Sequence, residues 1–299
     1  MAHSTMELSP DTYTDIHYDV KDGRARVTLA RPQTHNAITG RMLDELEDAA
    51  WRADDDTSVH CLVLSGEGPS FCSGYDLTAL GRTPEEGQRR GRSHDDDVWL
   101  IERNNRRIRA LWEMHKPTIA QVHGSCLAGG TDLAMVCDMV IAADDARIGF
   151  PAARSMGTLP NNLWLYSCGP QWAKRLQLTG DSVTGADAAR IGLVLKSVPA
   201  ELLEDEVEGV ADRLALIDVD LLAANKRITN LGMELMGAQV LQRLAAENDA
   251  RAHHSEAVRG FGRKVREHGL KEVLRRRDEP FGDGMTSATK PDGRLPQGR

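Results

Sequence analysis

Two short stretches of this 299-residue chain place backbone amides and a carboxylate where they can act on a developing negative charge. The first is GSCLAGGTDLAMVCD, residues 124–138, in which Ala128-Gly129-Gly130 stands before an apolar helical run and Asp132 follows two positions later. Glycine loses the most backbone freedom on folding, so a pair of them at a helix entrance needs a reason. The first N–H groups of a helix lack intrahelical partners and carry the positive end of its dipole. Without a Cβ, a glycine there lets a ligand oxygen reach the amide and be stabilised as it turns negative during a reaction. The other reading is close packing of helix on strand, and this segment alone leaves both open. The second stretch, GEGPSFCSGYDLTAL at 66–80, follows an apolar run and puts Gly74 at a strand-to-loop turn. Two turns offering one N–H each meet the requirement of an oxyanion hole, in which a single donor is worth about 10²–10³ in turnover.

The elements that must position these turns follow from periodicity. IHYDVKDGRARVTLARP alternates apolar and polar residues around Asp22-Gly23, the signal of a two-residue hairpin. From Ile38 the period becomes helical, with Met42, Leu43, Leu46, Ala49 and Ala50 on one face and Thr39 near the start. Short buried strands are expected at 61–66, 117–124 and 138–144. Helices are expected at 99–114, with Leu100, Ile101, Ile108, Leu111 and Trp112 as core candidates, and at 127–137. Beyond Pro151 the pattern turns mainly helical, at 171–178, 186–191, 201–216, 220–235 and 238–254. Strand-and-helix alternation followed by helices alone defines an α/β fold with a helical C-terminal part. No internal repeat is evident in the sequence. The polar stretch 81–97 is expected to be a mobile loop, and the Gly- and Pro-rich stretch 282–299 to be disordered.

Composition narrows the function. A chain of this length, 40% hydrophobic and 27% charged, can bury a sizeable core. A net charge of −8 argues against bulk attraction to nucleic acid, and no apolar run is long enough to span a membrane. The start, MAHSTMELSPDTYTD, lacks the regions of a secretory signal and reads as a loose tail. Five cysteines, an odd number without CxxC spacing, fit reduced thiols in the cytoplasm, and no metal-ligand spacing occurs. His253-His254 reads as a surface pair without carboxylate or cysteine partners at ligand spacing. The basic run 251–277 reads as a solvated helix face, with contact to an anionic ligand or a neighbouring subunit as the alternative.

The segments RPQTHNAIT, GEGPSFCSGYDL, KPTIAQVHGSCLAGGTDLAMVCDMVIAADDARIGFP, MGTLP and LTGDSVTGADAARIGLV together resemble the crotonase superfamily, the enoyl-CoA hydratase/isomerase family, in the family's order. The resemblance implies an α/β crotonase-type spiral of repeated ββα units over 15–200. It also implies a helical oligomerisation region over 201–281, between the N-terminal tail at 1–14 and the C-terminal tail at 282–299. It implies a homotrimer or a dimer of trimers acting on an acyl-CoA thioester, with coenzyme A present only as part of the substrate, and neither nucleic acid nor membrane as a partner. By motif, the oxyanion donors fall on the backbone N–H groups of Tyr75 and Gly129. Asp76, Leu77, Thr78 and Gly130 would line the thioester and pantetheine path.

Two departures bear on the reaction. Asp132 stands where the family's hydratases carry the first of two glutamates, so it is the acid/base candidate on a stem shorter by roughly 1.5 Å. Its plainer role is an anion in the first helical turn. The second glutamate is expected just after GFP, where Ala152 and Ala153 stand instead, and the nearby Arg154 is a poor acid or base. The two-glutamate hydration mechanism is therefore not expected; isomerisation comes next, then decarboxylation or thioester hydrolysis, with a non-catalytic acyl-CoA binder or assembly subunit as the rival class. Asn161 and Asn162 lie in a loop that supplies a catalytic side chain in other members, and a turn or cap role is the plainer reading. Trp164 and Tyr166 are candidates for the acyl-pocket wall or for the core. His123 reads as structural. The acids at 95–97 and Glu102 reach the pocket only if the polar loop folds over it.

Overall fold

Asp22 and Gly23 turn the chain with φ of 50° and 76°, the geometry a type I′ hairpin needs. They join β1 (Ile16–Lys21) to β2 (Arg24–Leu29), with Lys21 opposite Arg24. The computed structural model describes residues 8–79 and 93–295. α1 (Gly40–Asp55) begins where Thr39 Oγ1 accepts the Met42 N–H at 2.9 Å, and it buries Met42, Leu43, Leu46, Ala49, Ala50 and Ala53.

From β3 (Cys61–Gly66) the chain winds. Just beyond β3, Ser70 and Cys72 bridge to Gly124 and Cys126 in a second sheet. After α2 (His94–Ile108) and α3 (Ala110–Glu113), the next turn runs through β4 (Thr118–Val122), β5 (Ser125–Leu127) and α4 (Gly129–Met135). The third runs through β6 (Met139–Ala143), β7 (Arg147–Gly149) and α5 (Trp164–Thr179). β8 (Ser182–Thr184), α6 (Gly185–Arg190) and β9 (Lys196–Val198) close the winding. Each turn thus gives strand pairing to a first sheet, then to a second, then a helix. The first sheet has the order β1-β2-β3-β4-β6-β9, parallel except for the β1–β2 hairpin, and the second is β5-β7-β8. This is the expected spiral α/β fold. Its parallel strands are buried on both faces, which is why β3 and β4 read as apolar runs rather than alternating ones.

The C-terminal helices are α7 (Leu203–Ala215), α8 (Val219–Leu235), α9 (Ala238–His253), α10 (Glu256–His268) and α11 (Leu270–Asp278). α7 covers the sheet over β3, β4, β6 and β9, whereas α9 packs against α2, far from it in sequence. Leu221, Ile228, Leu231, Leu235, Met236, Val240 and Leu244 of α8, α9 and their connection are exposed. Among the described residues no helix is long and apolar enough to cross a membrane.

Several boundaries differ from the sequence reading. Residues 81–92 of the polar stretch lie outside the described residues, but His94 to Asp97 already belong to α2, whose N-cap Ser93 accepts the Asp96 N–H. The helix expected over 99–114 therefore starts earlier, and it breaks at Arg109. α5 also starts earlier, and it contains a break at Gly169 (φ 70°) before Pro170, so periodicity revealed only its second half. The N-terminal tail is not loose over its described part: Tyr13 bonds Asp48 and the Thr14 N–H bonds Glu45. Nor is the described stretch 282–295 free, since Met285 bridges to Ser182 and Arg175 pairs with Asp292 at 2.8 Å.

Candidate active site

β5 enters α4 through Ala128, a non-glycine residue at φ 49°, ψ −122°. Its conformation is held from both sides. The Ala128 N–H donates to Gly149 O at 2.9 Å, and Ala128 O accepts the Thr131 N–H and hydroxyl at 2.9 and 2.7 Å. Sparsely populated backbone of this kind persists only where the surroundings fix it.

Close approach explains the glycines. A Cβ on Gly130 would lie 2.3 Å from Cys72 O, and one on Gly129 would lie 2.7 Å from the Tyr75 ring. Gly74, at φ 107°, would put a Cβ 2.9 Å from that of Ala128 and 3.3 Å from Gly129 N. The Gly74-Tyr75 and Ala128-Gly129 turns therefore abut, and packing alone demands these residues. The turns also leave two amides free. Ile38 pairs with Tyr75 by donating to Gly74 O and accepting from the Asp76 N–H, a pattern that does not use the Tyr75 N–H. Among the described residues neither the Tyr75 N–H nor the Gly129 N–H has an acceptor.

One turn into α4, Asp132 is 1% exposed and its Oδ2 has no hydrogen-bond partner. Burial pushes its carboxyl well above the usual range, Asn161 pulls it back, and the charge of Asp249 pushes it further up. Asn161 is itself 1% exposed, with neither amide atom hydrogen-bonded; it stands close enough to favour the Asp132 carboxylate, but no contact between them has hydrogen-bond geometry. The turn role expected of the asparagine pair belongs to Asn162, which takes φ 51° and accepts from Gln177 at 2.9 Å.

The other candidates divide between the site's rim and the framework. Asp76 pairs with Arg31 at 3.0 Å and accepts the Thr78 N–H at 2.9 Å. Burial alone would raise its carboxyl, but Thr78 and Arg31 hold it below its ordinary value. Leu77 is half-buried and Thr78 exposed in the short turn after Tyr75. Trp164 is buried in the main core at 1% exposure, its indole N–H without an acceptor. Tyr166 packs partly buried against that core and donates to Met236 O at 3.3 Å. His123 bonds Gly68 O at 2.8 Å. Arg154 is a framework residue, paired with Asp181 and Asp278 and stacked on Phe281 at 3.8 Å. In the basic run, Arg275 and Arg276 pair with Glu272, and Arg277 with Asp278.

The sequence reading missed one cluster. Asp249 on α9 is 7% exposed, and its Oδ1 accepts the Thr158 N–H at 2.6 Å. His253, one turn on, lies 3.6 Å from Asp249 through Nε2 and 2.6 Å from Asp97 of α2 through Nδ1. His253 is therefore no surface residue without carboxylate partners: one stands four residues before it, and the other arrives by α2–α9 packing. The Asp97 hydrogen bond holds its imidazole above the ordinary value. Burial pushes the Asp249 carboxyl up to about 6, against the lowering effects of His253 and Thr158. Burial likewise pushes the Tyr75 phenol well up, with the charges of Asp132 and Asp249 adding to it. Asp249 therefore lies within electrostatic reach of Asp132 and Tyr75.

The winding of the two sheets and the paired turns define a crotonase-type fold. The profile of the Enoyl-CoA hydratase/isomerase family matches residues 19–283, and the chain belongs to that family. An enoyl-CoA hydratase structure from Mycobacterium smegmatis superposes with a TM-score of 0.87 at 35% identity, covering 93% of this chain and 98% of that one. An enoyl-CoA hydratase/isomerase from Xanthobacter autotrophicus Py2 gives 0.83 at 33%, covering 90% and 98%. The crotonyl-CoA hydratase of Syntrophomonas wolfei is 32% identical over 227 residues, 74% of this chain and 84% of the relative.

Proposed function

We propose that this chain is an enzyme acting on an acyl-CoA thioester, whose carbonyl oxygen is received by the N–H groups of Tyr75 and Gly129 while Asp132 moves a proton at the α-carbon. The observation that carries this reading is the meeting of two amides without acceptors beside a buried carboxyl whose Oδ2 has no partner. A thioester carbonyl is a weak acceptor, but its enolate is a strong one, so donors set in place stabilise the transition state more than the ground state. Asn161 and Gly130 belong to the same pocket. Leu77 and Thr78 line the path toward the thioester, with Asp76 fixing their turn. No permanent cofactor is required, because the electron sink is the thioester itself. The exposed apolar face of α8 and α9 supplies the contact for a trimer. The five free cysteines suit a cytoplasmic protein.

Enoyl-CoA isomerisation is the second reading, favoured by the aspartate at 132 and by the alanines at 152–153. Both reactions pass through the same enolate. The test is α-proton exchange of butyryl-CoA in D2O, read by mass spectrometry. Exchange by the native protein, lost in Asp132→Asn, is expected. Calorimetric coenzyme A binding without exchange would instead make the chain a binder.

A further inference from the structure

Hydration across a carbon–carbon double bond needs one group that takes a proton from water and another that gives one to carbon. Position 152–153 supplies no carboxylate, but α9 carries one, Asp249, within electrostatic reach of Asp132. We propose that Asp249, held by His253 and Asp97, is the second proton-handling carboxylate of this site. This rests on the reading of Tyr75, Gly129 and Asp132 given above.

Three observations place it. Asp249 Oδ1 is anchored by the Thr158 N–H at 2.6 Å, in the loop that carries Asn161 to Asp132. Gly157, at φ 144°, has no room for a side chain, because a Cβ there would lie 2.3 Å from Asp249 Oδ1, so the loop is shaped around this carboxylate. Beyond Asp249, His253 and Asp97 continue a chain of titratable groups toward less buried side chains. Asp132 Oδ2 and both amide atoms of Asn161 are buried without a hydrogen-bond partner. His253 on α9 and Asp97 on α2 act on the Asp249 charge, and Asp249 in turn acts on Asp132 of α4 and on Tyr75 in the turn before α2.

In the hydration direction the Asp249 carboxylate takes a proton from water, and the water oxygen bonds to the β-carbon. The π pair moves to the α-carbon and thioester oxygen, where the two amides hold the enolate. The neutral Asp132 carboxyl then gives its proton to the α-carbon. Asp249 is left protonated and Asp132 ionised, and one proton passing through solvent from the first to the second restores both.

The experiment compares two reactions of the full chain: crotonyl-CoA hydration, which needs both carboxylates, and butyryl-CoA α-exchange, which needs Asp132 and the amides. Asp249→Asn keeps an acceptor oxygen for Thr158. It is expected to lower hydration by about 10²-fold or more, the usual worth of a general base, with a far smaller loss of exchange. Equal losses in both reactions, or no loss of hydration, would overturn the proposal, as would native protein that exchanges but does not hydrate. Native protein that does neither would sink the underlying reading and the proposal together. His253→Gln gives a second readout. The imidazolium favours the ionised Asp249, so its removal should move the acid limb of the hydration profile to higher pH; an unmoved limb also counts against the assignment.

Discussion

Asp132 and Asp249 are both buried aspartates within electrostatic reach of one another, yet they are held by opposite means. Asp132 sits on main chain, in a helix start clamped by Cys72 and Ala128, and its Oδ2 has no hydrogen bond. Asp249 sits among partners, with the Thr158 N–H and the His253 ring beside it. Burial acts on both and is opposed at both, by Asn161 at Asp132 and by the His253 cation with the Thr158 amide at Asp249; Asp132 stays well above the usual range, while Asp249 is pushed up to about 6. Environments that push two carboxyls apart assign an acid and a base within one site.

The same difference decides what the sequence could tell. Asp132 and its glycines lie in one continuous stretch, where the cost of glycine at a helix entrance is a local signal. The reason for that cost was only half legible: the abutment of Gly74 on Ala128 and of Gly130 on Cys72 depends on the spiral bringing the turns together. The spiral repeats in strand pairing without repeating in residue pattern. Asp249, His253, Asp97 and Thr158 become neighbours only when α9 packs on α2 and the 157–162 loop closes over them. The four-residue spacing of Asp249 and His253 was visible, but its meaning depended on Asp97 and the loop. Thr39, the Asp22-Gly23 turn and the buried strands were readable because their physics is local.

The largest expected effect sets the contrast between the carboxylates. Asp132→Asn should lower butyryl-CoA exchange by about 10²–10⁴-fold, the range for a lost acid/base. The same variant should be more stable than the native protein at alkaline pH. A native carboxyl raised above its unfolded value holds a proton that the unfolded chain has released, so stability falls as pH rises from the unfolded value toward the folded one. The gain in melting temperature should shrink as pH falls below the unfolded value of 3.8, where both states are protonated. Exchange by native protein should rise with pH, because it needs ionised Asp132, whereas hydration, which needs the neutral carboxyl, should fall at the same ionisation.

A smaller effect tests the main-chain clamp. Gly130→Ala forces a Cβ onto Cys72 O, a backbone atom that cannot swing aside, and should cost about 1–3 kcal/mol of stability as overpacking does. Gly129→Ala meets the Tyr75 ring, a side chain that can rotate, so its thermal shift should be the lesser of the two. If both variants melt alike, the clamp is not the backbone contact described here.

The smallest effect separates strain from support. Ala128 holds φ 49°, ψ −122°, a conformation that glycine adopts with less steric penalty. Ala128→Gly relieves that strain but frees the unfolded chain, and the net gain should stay within about 1 kcal/mol, the scale of such exchanges. Exchange should nevertheless slow, because the Gly129 amide is aimed by the residue before it and a glycine at 128 lets it wander. A variant slightly more stable and slower would mean that the strained turn serves the amide rather than the fold. A variant more stable and equally fast would place the aim of that amide in the Ala128 hydrogen bonds to Gly149 and Thr131, which the substitution leaves in place.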